Sequence, residues 1–214
     1  MKDFLFNNEQ RFGESLPEQI AKYILTKIME GSYIPGDKIV EEKIAEELKT
    51  SRAPVREALY LLQVDNIVER IHRKGTVVKS FTTEDIKEYT HVMVGLIQMA
   101  LDMTSHQWHD ETKDTLKLKL NAVEEAFLAG DLIGYQMKST GLTTFFFEVA
   151  NNKALSKFYY ESVYILTVFA QVKWTTKTMN RFHPKMKLIT KNLMENKITE
   201  AKDIVPALLL ETLE

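Results

Sequence analysis

Apolar residues recur along this chain in short, often interrupted blocks up to about residue 80, and in long helical stretches after it. The first block, SLPEQIAKYILTKIMEGSYIPGD, opens on Ser15, a residue type that caps helices, and Pro17 suits a first helical turn. Ile20, Ile24 and Ile28 share one face at i, i+4 spacing. Gly31 and the Pro35-Gly36 pair then end the helix and turn the chain.

The next block, EEKIAEELKTSRAPVREALYLLQVDNIVERIHRKGTVVKS, holds two short helical stripes. Ile44, Ala45 and Leu48 form the first, and Val55, Ala58, Leu59 and Leu62 form the second, with a break at Thr50-Ser51 between them. Ile67, Val68 and Ile71 lead into the polar tip His72-Arg73-Lys74-Gly75, and Thr76-Val77-Val78 alternates back, which predicts a two-stranded hairpin with a glycine turn. Two short helices joined by a tight turn, then a hairpin with a basic tip, predict a winged helix-turn-helix.

Beyond Thr82 the alternation disappears. Thr83-Glu84-Asp85 reads as a helix start, and polar breaks at His109-Asp110, Gly130-Asp131, Asn151-Asn152, His183-Pro184 and Asn196 divide the remainder into six or seven helices. The expected organisation is mostly α: a winged helix-turn-helix over 1–80, then an all-helical effector-binding or dimerisation bundle over 81–214.

Composition narrows the function. With no cysteine, disulfides, thiolate nucleophiles and cysteine zinc sites are excluded. The start, MKDFLFNNEQRF, lacks the basic and apolar regions of a secretory signal, and no stretch is long enough to span a membrane, so a cytoplasmic location is expected. No nucleophile elbow, phosphate-cradling glycine loop or HExxH pattern appears, so an enzyme is not expected. The net charge of -2 gives no global attraction to nucleic acid. Any contact with DNA must come from a local basic surface.

That surface is offered by Ser51-Arg52-Ala53-Pro54-Val55-Arg56. Pro54 fits a first helical turn, and Arg52 and Arg56 lie i, i+4 at the start of the second helix, where guanidinium groups reach guanine edges or phosphates. Thr50 and Ser51 are candidate caps or phosphate contacts, and Arg70, Arg73 and Lys74 add charge at the wing, where Gly75 allows close approach. The plainer alternative is a solvated helix whose Arg56 pairs with Glu57 or Glu41. The acidic run Glu41, Glu42, Glu46, Glu47 fits a first helix turned away from phosphates.

Over residues 15–80, PGDKIVEEKIAEEL…SRAPVREALYLLQVDNIVERIHRKGTVV resembles the DNA-binding domain of the GntR family of bacterial regulators. The resemblance implies that Arg52, Arg56, Arg73, Lys74 and Gly75 contact an inverted-repeat, double-stranded operator, read by a homodimer. The helical part resembles the FadR-type effector domain, many members of which hold a divalent metal through an Asp, His, His, His set. Counting from Asn152 and Leu155 puts Ser139, Thr143, Met186 and Leu208 at or near those positions, so no metal and no cofactor are expected.

The histidines agree. His106 and His109 stand i, i+3 as a weak metal pair with Asp102 or Asp110, and His183, before Pro184, is expected to cap a helix or face solvent. A small-molecule effector, if sensed, is expected to be largely apolar, with Thr143, Phe146, Tyr164 and Trp174 as candidate contacts. The alternative is a helical part that only dimerises or binds a protein.

Overall fold

The structure, a computed structural model, describes residues 15–211. Among these the order is α1 (Leu16–Met29), α2 (Glu41–Glu47), α3 (Arg52–Val64), β1 (Val68–Ile71), β2 (Gly75–Val78), α4 (Thr83–Met103), α5 (Asp110–Leu128), α6 (Leu132–Ala150), α7 (Lys153–Lys173), α8 (Thr176–Met194) and α9 (Ile198–Leu210). The fold class expected from the sequence, a winged helix-turn-helix followed by an all-helical bundle, is the one observed. Two compact units separate: described residues up to Thr82 with Thr167–Val172, and Thr83–Leu166 with Lys173 onward.

In the first unit, Ser15 and Glu18 close a capping box at the start of α1. The Ser15 N–H donates to Glu18 Oε2 (2.8 Å), and the Glu18 N–H donates to Ser15 Oγ (3.4 Å). Such caps are worth about 1 kcal/mol. Ile20, Ile24, Leu25 and Ile28 are buried, and α1 packs on α3, whose Val55, Ala58, Leu59 and Leu62 are also buried. Each of these Val, Ile and Leu side chains contributes roughly 1.5–3 kcal/mol relative to exposure. Ile34-Pro35-Gly36-Asp37 makes a β-turn closed by the Asp37 N–H on Ile34 O (3.0 Å), with Gly36 at φ 90. Proline at the second position and a positive-φ glycine at the third are the demands of a type II turn.

The wing is an antiparallel pair in the register Val68↔Val78, Glu69↔Val77, Arg70↔Thr76, Ile71↔Gly75. The sequence reading places only a turn at Pro35-Gly36, but the segment 36–39 pairs with the free edge of β2. The Gly36 N–H donates to Val78 O (2.8 Å), the Val78 N–H to Asp37 O (2.9 Å) and the Ile39 N–H to Thr76 O (2.9 Å). The wing sheet is thereby anchored to the turn that precedes the helix-turn-helix.

In the second unit α4 packs on α6 and α9, α5 on α6 and α8, and α8 on α9. Most helix boundaries carry the punctuation read from the sequence. His109 accepts from the Thr112 N–H (3.5 Å) as the cap of α5, and Asp131 Oδ1 accepts from the Gly134 N–H (2.9 Å) at α6. Asn151, at φ 48, ends α6, and Asn152 Oδ1 accepts from the Leu155 N–H (3.0 Å) at the start of α7.

The expected break at His183-Pro184 is not there. Pro184 lies inside α8, and the boundary falls at Thr175, whose hydroxyl accepts from the Thr178 N–H (3.3 Å). The unbroken buried stripe Met179, Phe182, His183, Met186, Ile189, Leu193 outweighs one missing helix hydrogen bond.

Threonines inside this unit bond to their own helices. Thr90 donates to Ile86 O (2.7 Å), Thr140 to Gln136 O (2.9 Å), Thr143 to Ser139 O (3.1 Å), Thr144 to Thr140 O (2.9 Å) and Thr190 to Met186 O (2.9 Å). No described helix is long and apolar enough to cross a membrane.

Candidate nucleic-acid interface

The winged unit presents its cations in two groups. Arg52 is the first residue of α3 and Arg56 lies one turn on, both exposed because Val55, Ala58 and Leu59 take the inward positions between and beyond them. Ser51 holds the N-cap position, but its side chain makes no cap hydrogen bond, so its exposed hydroxyl is free for other partners. Thr50 is half-buried, its N–H held by Ala45 O (2.9 Å). The preceding residue, Lys49, takes φ 52, a left-handed conformation that turns the chain between α2 and α3.

Both arginines have acidic partners on α2. Arg52 Nη1 meets Glu42 Oε1 at 2.8 Å. Arg56 donates from Nη2 to Glu41 Oε2 (3.0 Å) and from Nε to both carboxylate oxygens (3.3 and 3.4 Å). Glu41 holds the Arg56 guanidinium above its ordinary pKa, so the side chain is a permanent cation. The acidic run is therefore not set apart from the arginines: its first two members face them, while Glu47 accepts from the Tyr23 hydroxyl (2.9 Å). The helical period explains this, because Glu47, six residues after Glu41 in α2, lies roughly 240° round the helix from it and so faces elsewhere.

The second group is the wing tip. Arg70 is exposed on β1, and Arg73, at φ 63, is the apex of the turn. Lys74 donates from Nζ to Gly36 O (3.2 Å). Gly75 has φ 97, and a Cβ there would lie 3.3 Å from Lys38 Cε. Lys38, exposed and laid across Gly75, is a cation of this tip that the sequence reading missed. Its only signal is the three-residue alternation Lys38 out, Ile39 in, Val40 out, too short to distinguish a strand from a loop.

In the helical unit, the expected exposure or capping role of His183 is overturned. It is 5% exposed, inside α8, its ring stacked on Phe127 at 3.9 Å and its Nδ1 3.4 Å from the Tyr135 hydroxyl. Burial holds the imidazole below its ordinary pKa and the Tyr135 phenol above its own. Buried Ser139 stands one turn after Tyr135, and its hydroxyl beside the phenol tempers that rise.

Of the candidate effector contacts, Thr143 is half-buried with its hydroxyl on Ser139 O, and Phe146 and Tyr164 are buried. Half-buried Trp174 reaches Phe182 (5.0 Å) and Tyr135 (6.3 Å). None of the four lines the open apolar groove of about 440 Å³ formed by Leu120, Pro184, Lys187, Leu188, Lys191 and Met194. His106 and His109 do not share a helix: both lie in the α4–α5 connection, at whose end His109 serves as cap. Among the described residues no three acidic or histidine side chains come together as metal ligands.

Residues 16–78 match the model of the bacterial regulatory proteins, gntR family. The uncharacterised HTH-type transcriptional regulator YdhC of Bacillus subtilis is 28% identical over 130 residues, covering 61% of this chain and 56% of that protein. The chain thus spans little more than half the length of that relative, and about a third of the next ones. Among solved structures, Escherichia coli McbR/YncC superposes with a TM-score of 0.80 at 16% identity, over 93% of this chain and 95% of that one. A GntR-type putative regulator from Rhodococcus superposes at 0.81 and 19% identity, over 94% and 96%. These two likenesses establish a shared fold across both units. The match to the gntR family model coincides with the winged helix-turn-helix of residues 16–78 and does not extend into the helical unit.

Proposed function

We propose that this protein is a sequence-specific, DNA-binding transcriptional regulator that reads an inverted-repeat operator as a homodimer. The observation that carries the reading is the exposed pair Arg52 and Arg56 at the start of α3 within the region matched to the family. A helix start of this kind presents arginine forks to guanine edges while its N–H groups favour phosphate. Thr50 and Ser51 flank that helix start, and Arg70, Arg73, Lys74 and Gly75, with Lys38, supply the wing contacts. Two-fold symmetry of the dimer matches a palindromic site with half-sites one helical turn apart.

We further read the helical unit as a FadR-type domain that has lost its metal set. Ser139, Thr143, Met186 and Leu208 offer hydroxyls, a thioether and an alkyl chain, a donor set that does not suit a hard or borderline divalent cation. In this reading the helical unit senses a small, largely apolar effector through Thr143, Phe146, Tyr164 and Trp174, near the buried polar groups Tyr135, Ser139 and His183.

The test is selection of bound duplexes from a random-sequence pool with the full chain, together with native mass spectrometry. Enrichment of an inverted repeat by a dimer is expected, and enrichment of no motif overturns the DNA reading. A reproducible bound organic mass supports sensing, whereas a clean dimer favours the dimerising alternative.

A further inference from the structure

Two carboxylates lie within the surface assigned to DNA, where bare electrostatics disfavours them. Glu41 is half-buried, with its side chain 28% exposed, and it takes the Nε and Nη2 edge of Arg56. That grip fixes the plane of the guanidinium and leaves Nη1 unengaged, while the arginine side chain remains 67% exposed. Glu42, across the same gap, touches Arg52 by a single contact with both partners about half exposed, a looser pair. Exposed pairs of this kind add little stability, so Glu41 has to be explained by something besides fold strength.

We propose that Glu41 is a positioning residue for sequence reading: it orients the Arg56 fork toward a base edge and opposes duplexes on which that fork finds no base. The inference rests on the DNA-binding reading above. Its physical basis is an asymmetry. On a matching site, a bidentate contact from Arg56 to guanine offsets the repulsion between the Glu41 carboxylate and nearby phosphates. On other sequences the repulsion stays and the contact is missing. Neutralising Glu41 therefore raises affinity for random DNA and lowers discrimination, the opposite of what loss of a structural ion pair does.

The experiment compares wild type, Glu41→Gln, Arg56→Ala and the double variant as full chains. Each is titrated by fluorescence anisotropy against the motif selected by wild type and against its scrambled duplex, over a sodium chloride series. For Glu41→Gln the expected outcome is tighter binding to the scrambled duplex, a salt dependence steeper by up to about one in slope, and a motif-to-scramble ratio reduced at least roughly fivefold. In the Arg56→Ala background the same change leaves the ratio unmoved. A Glu41→Gln protein with the wild-type ratio and slope overturns the proposal. So does equal weakening on both duplexes with a lowered melting temperature, which marks a structural pair. Failure of wild type to select any motif instead removes the DNA reading on which the proposal rests.

Discussion

Replacing Tyr159 with phenylalanine deletes one buried oxygen and nothing else. Tyr159 is fully buried, its ring stacked on Phe147 at 3.9 Å, and its hydroxyl lies 2.8 Å from Thr144 Oγ1. Because Thr144 already donates to Thr140 O, the tyrosine is the donor in this pair, and the variant leaves Thr144 still bonded. The loss at neutral pH is therefore that of one ordinary hydrogen bond, about 1 kcal/mol.

Alkaline pH reverses the order. Burial holds the folded Tyr159 phenol above its ordinary pKa, while in the unfolded chain it ionises near about 10. The stability linked to this proton is fully present below about pH 10 and is lost as pH rises from there toward the folded pKa, since only the unfolded chain releases the proton. The slope approaches 1.36 kcal/mol per pH unit for wild type and is absent at this position in the variant. The deficit of about 1 kcal/mol then closes near about pH 10.6, and above it Tyr159→Phe is the more stable protein. Tyr135 is common to both and cancels. Urea unfolding followed by tryptophan fluorescence from pH 7 to pH 11 reads the crossover. A deficit that stays constant across this range refutes the reasoning, because it means the phenolate is accommodated in the fold.

Other consequences are smaller. Arg52→Ala should weaken binding to the selected operator by about 1–3 kcal/mol, measured by anisotropy, with unchanged affinity removing Arg52 from the reading surface. Lys49→Gly relieves a left-handed lysine at φ 52 and should raise stability by about 0.5–1 kcal/mol in urea titrations, with no gain contradicting the strain. Gly75→Ala places a methyl at φ 97 against Lys38 and should cost about 1–3 kcal/mol, seen as a lowered melting temperature. The buried neutral His183 stabilises the fold above its unfolded pKa of about 6.5, and this is lost as pH falls toward the depressed folded value. Thermal melts of wild type should therefore decline below pH 6.5 more steeply than those of His183→Gln.

The winged unit was legible because its signals are local. The Ser15 cap, the Pro35-Gly36 turn, the α3 stripe and the alternation around Gly75 each act within a few residues. What escaped depends on neighbours distant in sequence. Lys38 joins the wing only because 36–39 pairs with β2, and the choice between Glu57 and Glu41 as the partner of Arg56, left open by the sequence, is made by the α2–α3 turn angle. In the helical unit, Pro184 misled because a proline signal is local while the buried face of α8 is set by α5, α6 and α9. His183 was misplaced with it: next to a presumed break it reads as surface, whereas inside an unbroken helix it falls on the buried stripe.

The threonines that bond to their own helices have a mechanical consequence. A buried hydroxyl satisfied by the carbonyl one turn earlier asks nothing of the neighbouring helix, so adjacent helices can slide past one another without stranding a donor. Motion of this shear type needs only that side chains repack. Bonds that do cross between helices, such as Thr144 to Tyr159 and Tyr135 to His183, act as pins on such sliding. They mark where α6 is fastened to α7 and α8.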